Sequence, residues 1–117
     1  MPPDRFIGRL TREDEFRRVY LEGFRRSTPL LVIHARANGL GAVRLGFAVG
    51  RRFGGAVVRN RLRRRLREAV RAHHGLIGAG VDLVVAPRAG AAGATYASLH
   101  AAVGTALAAA GLLDHAP

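Results

Sequence analysis

The chain contains no cysteine and no lysine. Without cysteine, disulfides and thiolate metal sites are excluded. Without lysine, all 19 basic residues are arginines. No apolar run approaches the roughly 20 residues that a membrane-spanning helix needs. The opening Met1-Pro2-Pro3-Asp4-Arg5 has no apolar signal core, so the expected location is the cytoplasm. Acids are scarce as well: 8 Asp and Glu leave a formal net charge of +11. A small domain this basic repels itself unless a polyanion offsets the charge. Nucleic acid is the first candidate and an anionic membrane surface the second. Arginine forks also grip phosphate bidentately and stack on bases, which a lysine ammonium does not.

What is present bounds the architecture. A chain of 117 residues, 49% of them hydrophobic, makes one domain (1–117) with a real core, and no internal repeat is visible. Thr11 with Asp14 three residues on predicts a helix start, and Glu13, Asp14 and Glu15 suit its positive end. Phe16, Val19 and Tyr20 then share one face, and Gly23 ends the helix. Leu30 to Ala37 reads as a strand, followed by Asn38-Gly39 with turn chemistry. Val43, Leu45, Phe47 and Val49 alternate with Ala42, Arg44, Gly46 and Ala48, a strand whose small face leaves room for something to lie close. The two strands together predict a hairpin or meander. Gly54-Gly55 opens a long helix from about Ala56 to His73, closed by Gly75. Val81 to Ala86 reads as a buried strand ended by Pro87, and residues 89–94 as a Gly/Ala linker. Thr95 caps a last helix carrying Tyr96, Leu99, Val103 and Leu107 on one face. The expectation is an α+β fold, an α/β two-layer sandwich in the order α-β-β-α-β-α. Its mixed sheet has three to four strands.

The charge is concentrated. Residues 51–71 hold nine Arg against Glu68 alone, +8 of the excess. On a helical wheel Val58, Leu62, Leu66, Ala69 and Val70 form the apolar stripe. Arg59, Arg63, Arg67 and Arg71 follow one another at i+4 along its flank, and only Arg64 has an acid, Glu68, at that spacing. Like charges so placed cost a few tenths of a kcal/mol per pair. A solvated face would seldom stack four arginines this way, and an external polyanion resolves the repulsion. Arg59 projects only about 60° from Leu62, so it leans toward the sheet. The first turns, Arg59-Asn60-Arg61, also offer free N–H groups and a favourable dipole to an anion.

The run Arg51-Arg52-Phe53-Gly54-Gly55-Ala56-Val57-Val58-Arg59-Asn60-Arg61-Leu62-Arg63-Arg64, continued by Leu66-Arg67-Glu68, resembles the signature of the bacterial ribonuclease P protein component. That pattern has two basic residues, a spacer, Gly-Asn-Ala-Val, a spacer, Arg-Asn-Arg, then a basic pair and Arg-Glu. Asp14-Glu15-Phe16-Arg17-Arg18-Val19 resembles the family's first helix, and Leu45-Gly46-Phe47-Ala48-Val49 the strand before the signature. Asp82-Leu83-Val84-Val85-Ala86 with Arg88 resembles a later strand. Three positions depart from the pattern. Gly55 replaces Asn and loses a side-chain cap, Arg63 replaces Lys, and Gly50 stands where Ser is common.

The resemblance implies a protein subunit that binds a catalytic RNA and the 5′ leader of precursor tRNA, assisting leader removal. The chemistry would lie with the RNA, which holds most of the Mg²⁺, so no catalytic or metal-ligating residue is assigned to the protein. It implies that Arg59, Asn60, Arg61, Arg63, Arg64 and Arg67 meet the RNA subunit. Arg51 and Arg52 would reach RNA or leader phosphates. Phe16, Tyr20 and His34 would line the leader cleft, with core packing as the alternative for the two aromatics. It implies a left-handed βαβ crossover, against the general rule of roughly 98% right-handed connections. No membrane and no obligate protein partner are implied. A ribosomal-type RNA-binding protein shares the charge and fold class, and only the signature separates the two. A membrane-surface helix would want bulky residues where this stripe has Val, Leu and Ala. An independent nuclease would need an acid–base pair that the sequence does not display near its basic segment. The adjacent His73 and His74 point about 100° apart on a helix and so do not form a metal pair.

Overall fold

The computed structural model describes residues 8–73, 77 and 80–113. Strand β5 (Val81–Pro87) explains the sheet around it. Its residues Val81 to Val85 are all buried, so it needs a strand on each edge and cover on each face. Strand β3 (Leu31–Ala37) pairs with it antiparallel and β4 (Val43–Phe47) pairs parallel on the other side. The short strands β1 (Gly8–Arg9) and β2 (Phe24–Ser27) complete a five-stranded mixed sheet in the order β1-β4-β5-β3-β2.

The hairpin expected between β3 and β4 does not form, because β5 inserts between them. The Asn38–Ala42 connection spans the start of β5 instead. Asn38 N–H donates to the Gly80 carbonyl (2.9 Å), and Gly80 N–H donates to that of Ala42 (3.2 Å). Gly80 has φ +82°, and a Cβ there would lie 2.9 Å from the Leu40 carbonyl oxygen. The sheet also has five strands where three to four were expected. β1 is two residues long and β2 is exposed throughout, so neither carries an alternation that sequence could show.

Odd-numbered residues of β3, β4 and β5 face helices α2 (Ala56–Arg71) and α3 (Tyr96–Ala109). Leu31, Ile33, Val43, Leu45, Leu83 and Val85 form the main core with Leu62, Leu66, Val70, Leu99, Val103 and Leu107. This is the expected sheet-on-helix sandwich, with the parallel pair β4 and β5 joined through α2. Helix α1 (Glu13–Glu22) covers part of the other face, where Leu10, Val19 and Val84 form a smaller core with Phe16 and Ala48. The small residues of β4 serve this contact: a Cβ on Gly46 would meet Phe16 Cζ at 2.7 Å and Leu10 Cβ at 2.9 Å.

The helix ends refine the sequence reading. In α1 the cap is Arg12 rather than Thr11, because the Glu15 carboxylate accepts the N–H groups of both Thr11 (3.2 Å) and Arg12 (3.0 Å). Helix α2 starts at Gly55 with no side-chain cap, after a 3-10 turn at Arg51–Phe53, and Gly54 takes φ +127°. Its apolar stripe begins at Leu62; Val58 is 43% exposed because the first turn lies beyond the covered part of the sheet. Thr95 caps α3, its hydroxyl accepting Ser98 N–H at 3.1 Å. Tyr96 is not in the core but lies at its rim, its hydroxyl donating to the Glu68 carbonyl (3.4 Å). The 89–94 linker contains a 3-10 turn at Ala89–Ala91 with Ala91 fully buried. Gly75 and His74 lie outside the described residues.

Candidate nucleic-acid interface

Helix α2 divides its charge between two flanks. On the α3 side Arg65 donates to the Ala94 carbonyl, so this arginine ties two segments together. On the opposite flank Arg59, Arg63 and Arg67 are half-buried, with Arg67 reaching the β4/β1 edge, while Asn60, Arg61 and Arg64 are exposed. Arg63 donates to the Asn60 side-chain oxygen (2.7 Å), and Arg67 stacks over the Phe47 ring with 5.4 Å to its centroid. The Arg59 Nε is buried and meets no acceptor among the described residues. Arg67 and Arg71 line a cavity of about 90 Å³ with Arg9 of β1. Burial makes the charged form of Arg67 less favourable, and the charges of Arg9, Arg71 and Arg63 add to that. An anion in the cavity would relieve both effects. Ion pairs between described residues lie on the α1 side of the sheet instead, joining Arg12, Arg18, Arg36 and Arg44 to Asp14, Glu15, Glu22 and Asp82.

Arg51 and Arg52 sit in the 3-10 turn between β4 and α2, both exposed. Arg52 lies over the Phe53 ring at 5.0 Å and approaches the Pro87 carbonyl at 3.4 Å, which places it at the end of β5.

The second surface is the part of the sheet that α1 leaves open. Even-numbered residues face this side. At one end Asp82 is bound by Arg44 through Nε (2.8 Å) and Nη2 (2.7 Å), with the Asn38 amide at 2.8 Å. Glu15 and Glu22 reach over from α1 to Arg44 and Arg36, at 3.2 Å each. The acids of this face are therefore drawn to the end that α1 covers. At the other end Ala48, Ala86 and Val32 are half-buried and form a shelf of small apolar side chains. Register places Val32 beside Ala86 on one side and beside Ser27 of β2 on the other.

Phe16, Tyr20 and His34 stand where α1 meets this shelf. Phe16 is half-buried over Gly46, and Tyr20 is 44% exposed. Tyr20 meets the His34 ring edge-on, with centroids 4.8 Å apart and planes at 83°. Burial pushes the His34 imidazole below its usual range, and the charge of Arg25 lowers it further, so the ring is neutral near pH 7. A neutral imidazole offers one donor and one acceptor to a base edge. Burial likewise raises the Tyr20 phenol, which stays protonated. Aromatic faces beside a shelf of small apolar side chains are what the bases of single-stranded nucleic acid stack on.

Among the described residues no three His, Asp or Glu side chains converge as metal ligands. His73 is used structurally, stacked on His100 at 4.3 Å and lying 3.0 Å from where a Cβ on Gly104 would be. No helix of the structure is long and apolar enough to cross a membrane.

Comparison with known proteins decides the family. The ribonuclease P family model matches residues 7–111. The chain belongs to the ribonuclease P protein family. It is similar to the ribonuclease P protein component of Roseiflexus sp. strain RS-1, 40% identical over 107 residues that cover 91% of this chain and 88% of the relative. It is 47% identical to that of Chloroflexus aurantiacus over 76 residues, 65% of this chain and just 56% of the relative's length. Among solved structures, the Staphylococcus aureus ribonuclease P protein superposes with a TM-score of 0.82 at 27% identity, covering 91% of this chain and 97% of that one.

The residues singled out from sequence fall in separate places. Arg59, Asn60, Arg61, Arg63, Arg64 and Arg67 share helix α2, while Phe16, Tyr20 and His34 share the shelf. Arg51 and Arg52 lie at the β4–α2 junction. Sequence reasoning missed Arg9, which reaches the α2 row because β1 pairs parallel with β4. A two-residue strand gives no periodic signal. It also missed Arg25, the cross-strand neighbour of His34.

Proposed function

We propose that this chain is the protein subunit of a ribonuclease P holoenzyme. It binds the RNA subunit through the exposed flank of α2 and holds the 5′ leader of precursor tRNA on the shelf beside α1. The RNA, with its Mg²⁺, cleaves the phosphodiester, and the protein positions both RNAs. The observation that carries this reading is the separation of two surfaces on one small domain: the face of α2 where Arg59, Arg61, Arg63, Arg64 and Arg67 make no ion pair with a described acid, and an aromatic-rimmed shelf of small side chains. Family membership supports it. Phosphate contacts give affinity without sequence preference, and stacking tolerates any base. A subunit that must accept leaders of varied sequence needs both properties.

Two substitutions test the division of labour. Arg61 is exposed, so Arg61→Ala should leave folding intact and weaken assembly with the RNA subunit by about 1.5–3 kcal/mol, whatever substrate is present. Tyr20→Ala should spare assembly and weaken only leader-bearing precursor, by about 1–3 kcal/mol per unstacked base. Fluorescence anisotropy with precursor and mature tRNA on the reconstituted holoenzyme reads both. Equal losses for the two tRNAs in a folded Tyr20→Ala protein would contradict the shelf assignment.

A further inference from the structure

Strand β2 carries adjacent arginines that alternate across the sheet. Arg26 points to the α3 side, where Nε donates to the Ala109 carbonyl (3.2 Å) and the guanidinium lies over the Phe24 ring at 5.1 Å. Arg25 points to the other side, paired in register with His34. It is exposed, its guanidinium has no acid partner among the described residues, and Glu22 nearby is already held by Arg18 and Arg36. Arg25 thus stands at the open edge of the shelf next to the Tyr20–His34 ring pair. His34 adds no charge of its own at neutral pH, since burial and Arg25 hold it neutral.

We propose that the leader leaves the shelf across edge strand β2 and that Arg25 grips a leader phosphate there, making it a specificity residue for leader length. The proposal rests on the leader-binding reading above and adds a direction and an end point to it. From Ala48 across β5 and β3 to β2 is three strand spacings, about 14 Å. About four stacked nucleotides at roughly 3.4 Å each span that distance. A leader shorter than this stops on the shelf, and a longer one reaches the arginine. Unlike the α2 row, which would meet the RNA subunit, this contact would be made with substrate alone.

The test uses the reconstituted holoenzyme with precursor tRNAs whose leaders increase from none to about ten nucleotides. Arg25→Ser should bind leaderless and very short-leader tRNA as wild type does, then fall about tenfold behind once the leader is long enough. The salt dependence for long leaders should lose about 0.7 of a unit in slope, the share of one phosphate contact on a single strand. Arg25→Lys, which keeps the charge, should recover most of the loss. Arg26→Ser removes the same charge from the opposite face and should follow wild type at every length, with melting curves recorded to confirm that both variants are folded. Equal losses for Arg25→Ser and Arg26→Ser would reduce the effect to bulk charge and overturn the proposal. So would a loss that persists without a leader, or none at any length while wild type still prefers long leaders. If wild type itself bound leaderless and leader-bearing tRNA equally, the leader-binding reading would fall instead.

Discussion

Asp82 is 1% exposed beneath α1, with Arg44, Arg36 and Asn38 converging on its carboxylate. Burial alone would raise its pKa. The hydrogen bonds from Arg44 and Asn38 and the charges of Arg44 and Arg36 outweigh burial and hold it below the usual range. A depressed folded value means that the stability contributed is complete above the unfolded carboxylate's value of about 3.9. It is lost as pH falls from there through the folded value. Asp82→Asn should therefore destabilise the protein at pH 7 by about 3 kcal/mol, the order expected when one partner of a buried pair is removed. Urea unfolding from pH 7 to pH 2 should show the gap from wild type closing below about pH 4; a gap constant across that range would contradict this account. The sequence shows Asp82 only as a charge at the start of an apolar run, because its partners lie 38 and more residues away. By contrast, the half-burial of Arg59 follows from its angle to Leu62, and the common face of His34 with Val32 and Arg36 from strand alternation. Local periodicity makes such residues legible, and long-range pairing does not.

At the scale of elements, α2 is where sequence and structure agree most closely, since the apolar period from Leu62 on, the charge row and the Gly54-Gly55 start coincide there. Five of its arginines (Arg59, Arg61, Arg63, Arg64 and Arg67) have no ion pair with a described acid, while Arg65 is held by the Ala94 carbonyl. If these five neutralise phosphates, the logarithm of the RNA-subunit binding constant should fall with log salt at a slope of about −3.5 to −4.5. A salt titration of binding measures this, and a slope near zero would make the row a solvated face. The short elements were illegible for a physical reason. β1 and β2 are edge strands with no buried alternating face, formed because β4 and β3 offer open ladders to pair with. Those two strands bring Arg9 to the α2 cavity and Arg25 to the shelf.

For the whole molecule, fold class and helix placement follow from pattern, but strand order does not. Nothing local in Asn38-Gly39 reveals that β5, some forty residues on, will occupy the place beside β3 that a hairpin would fill. That insertion matters functionally. It sets β4 and β3 on either side of an almost fully buried strand, so that α1 can cover one end of the exposed face and leave the other as a shelf. The arginine helix meanwhile lies on the opposite face, with Arg67 reaching the far edge. One domain thus presents two surfaces pointing in different directions, suited to bridging two RNAs. The most direct measurement is cleavage of a precursor tRNA at low Mg²⁺ by the purified protein alone, by a cognate catalytic RNA alone, and by the two together. The account predicts no cleavage by the protein alone, and cleavage at the mature 5′ end by the RNA that the protein strongly enhances. It predicts that this enhancement vanishes for substrates lacking a leader contact. Accurate 5′ cleavage by protein freed of RNA, or no enhancement of the RNA's reaction, would contradict it.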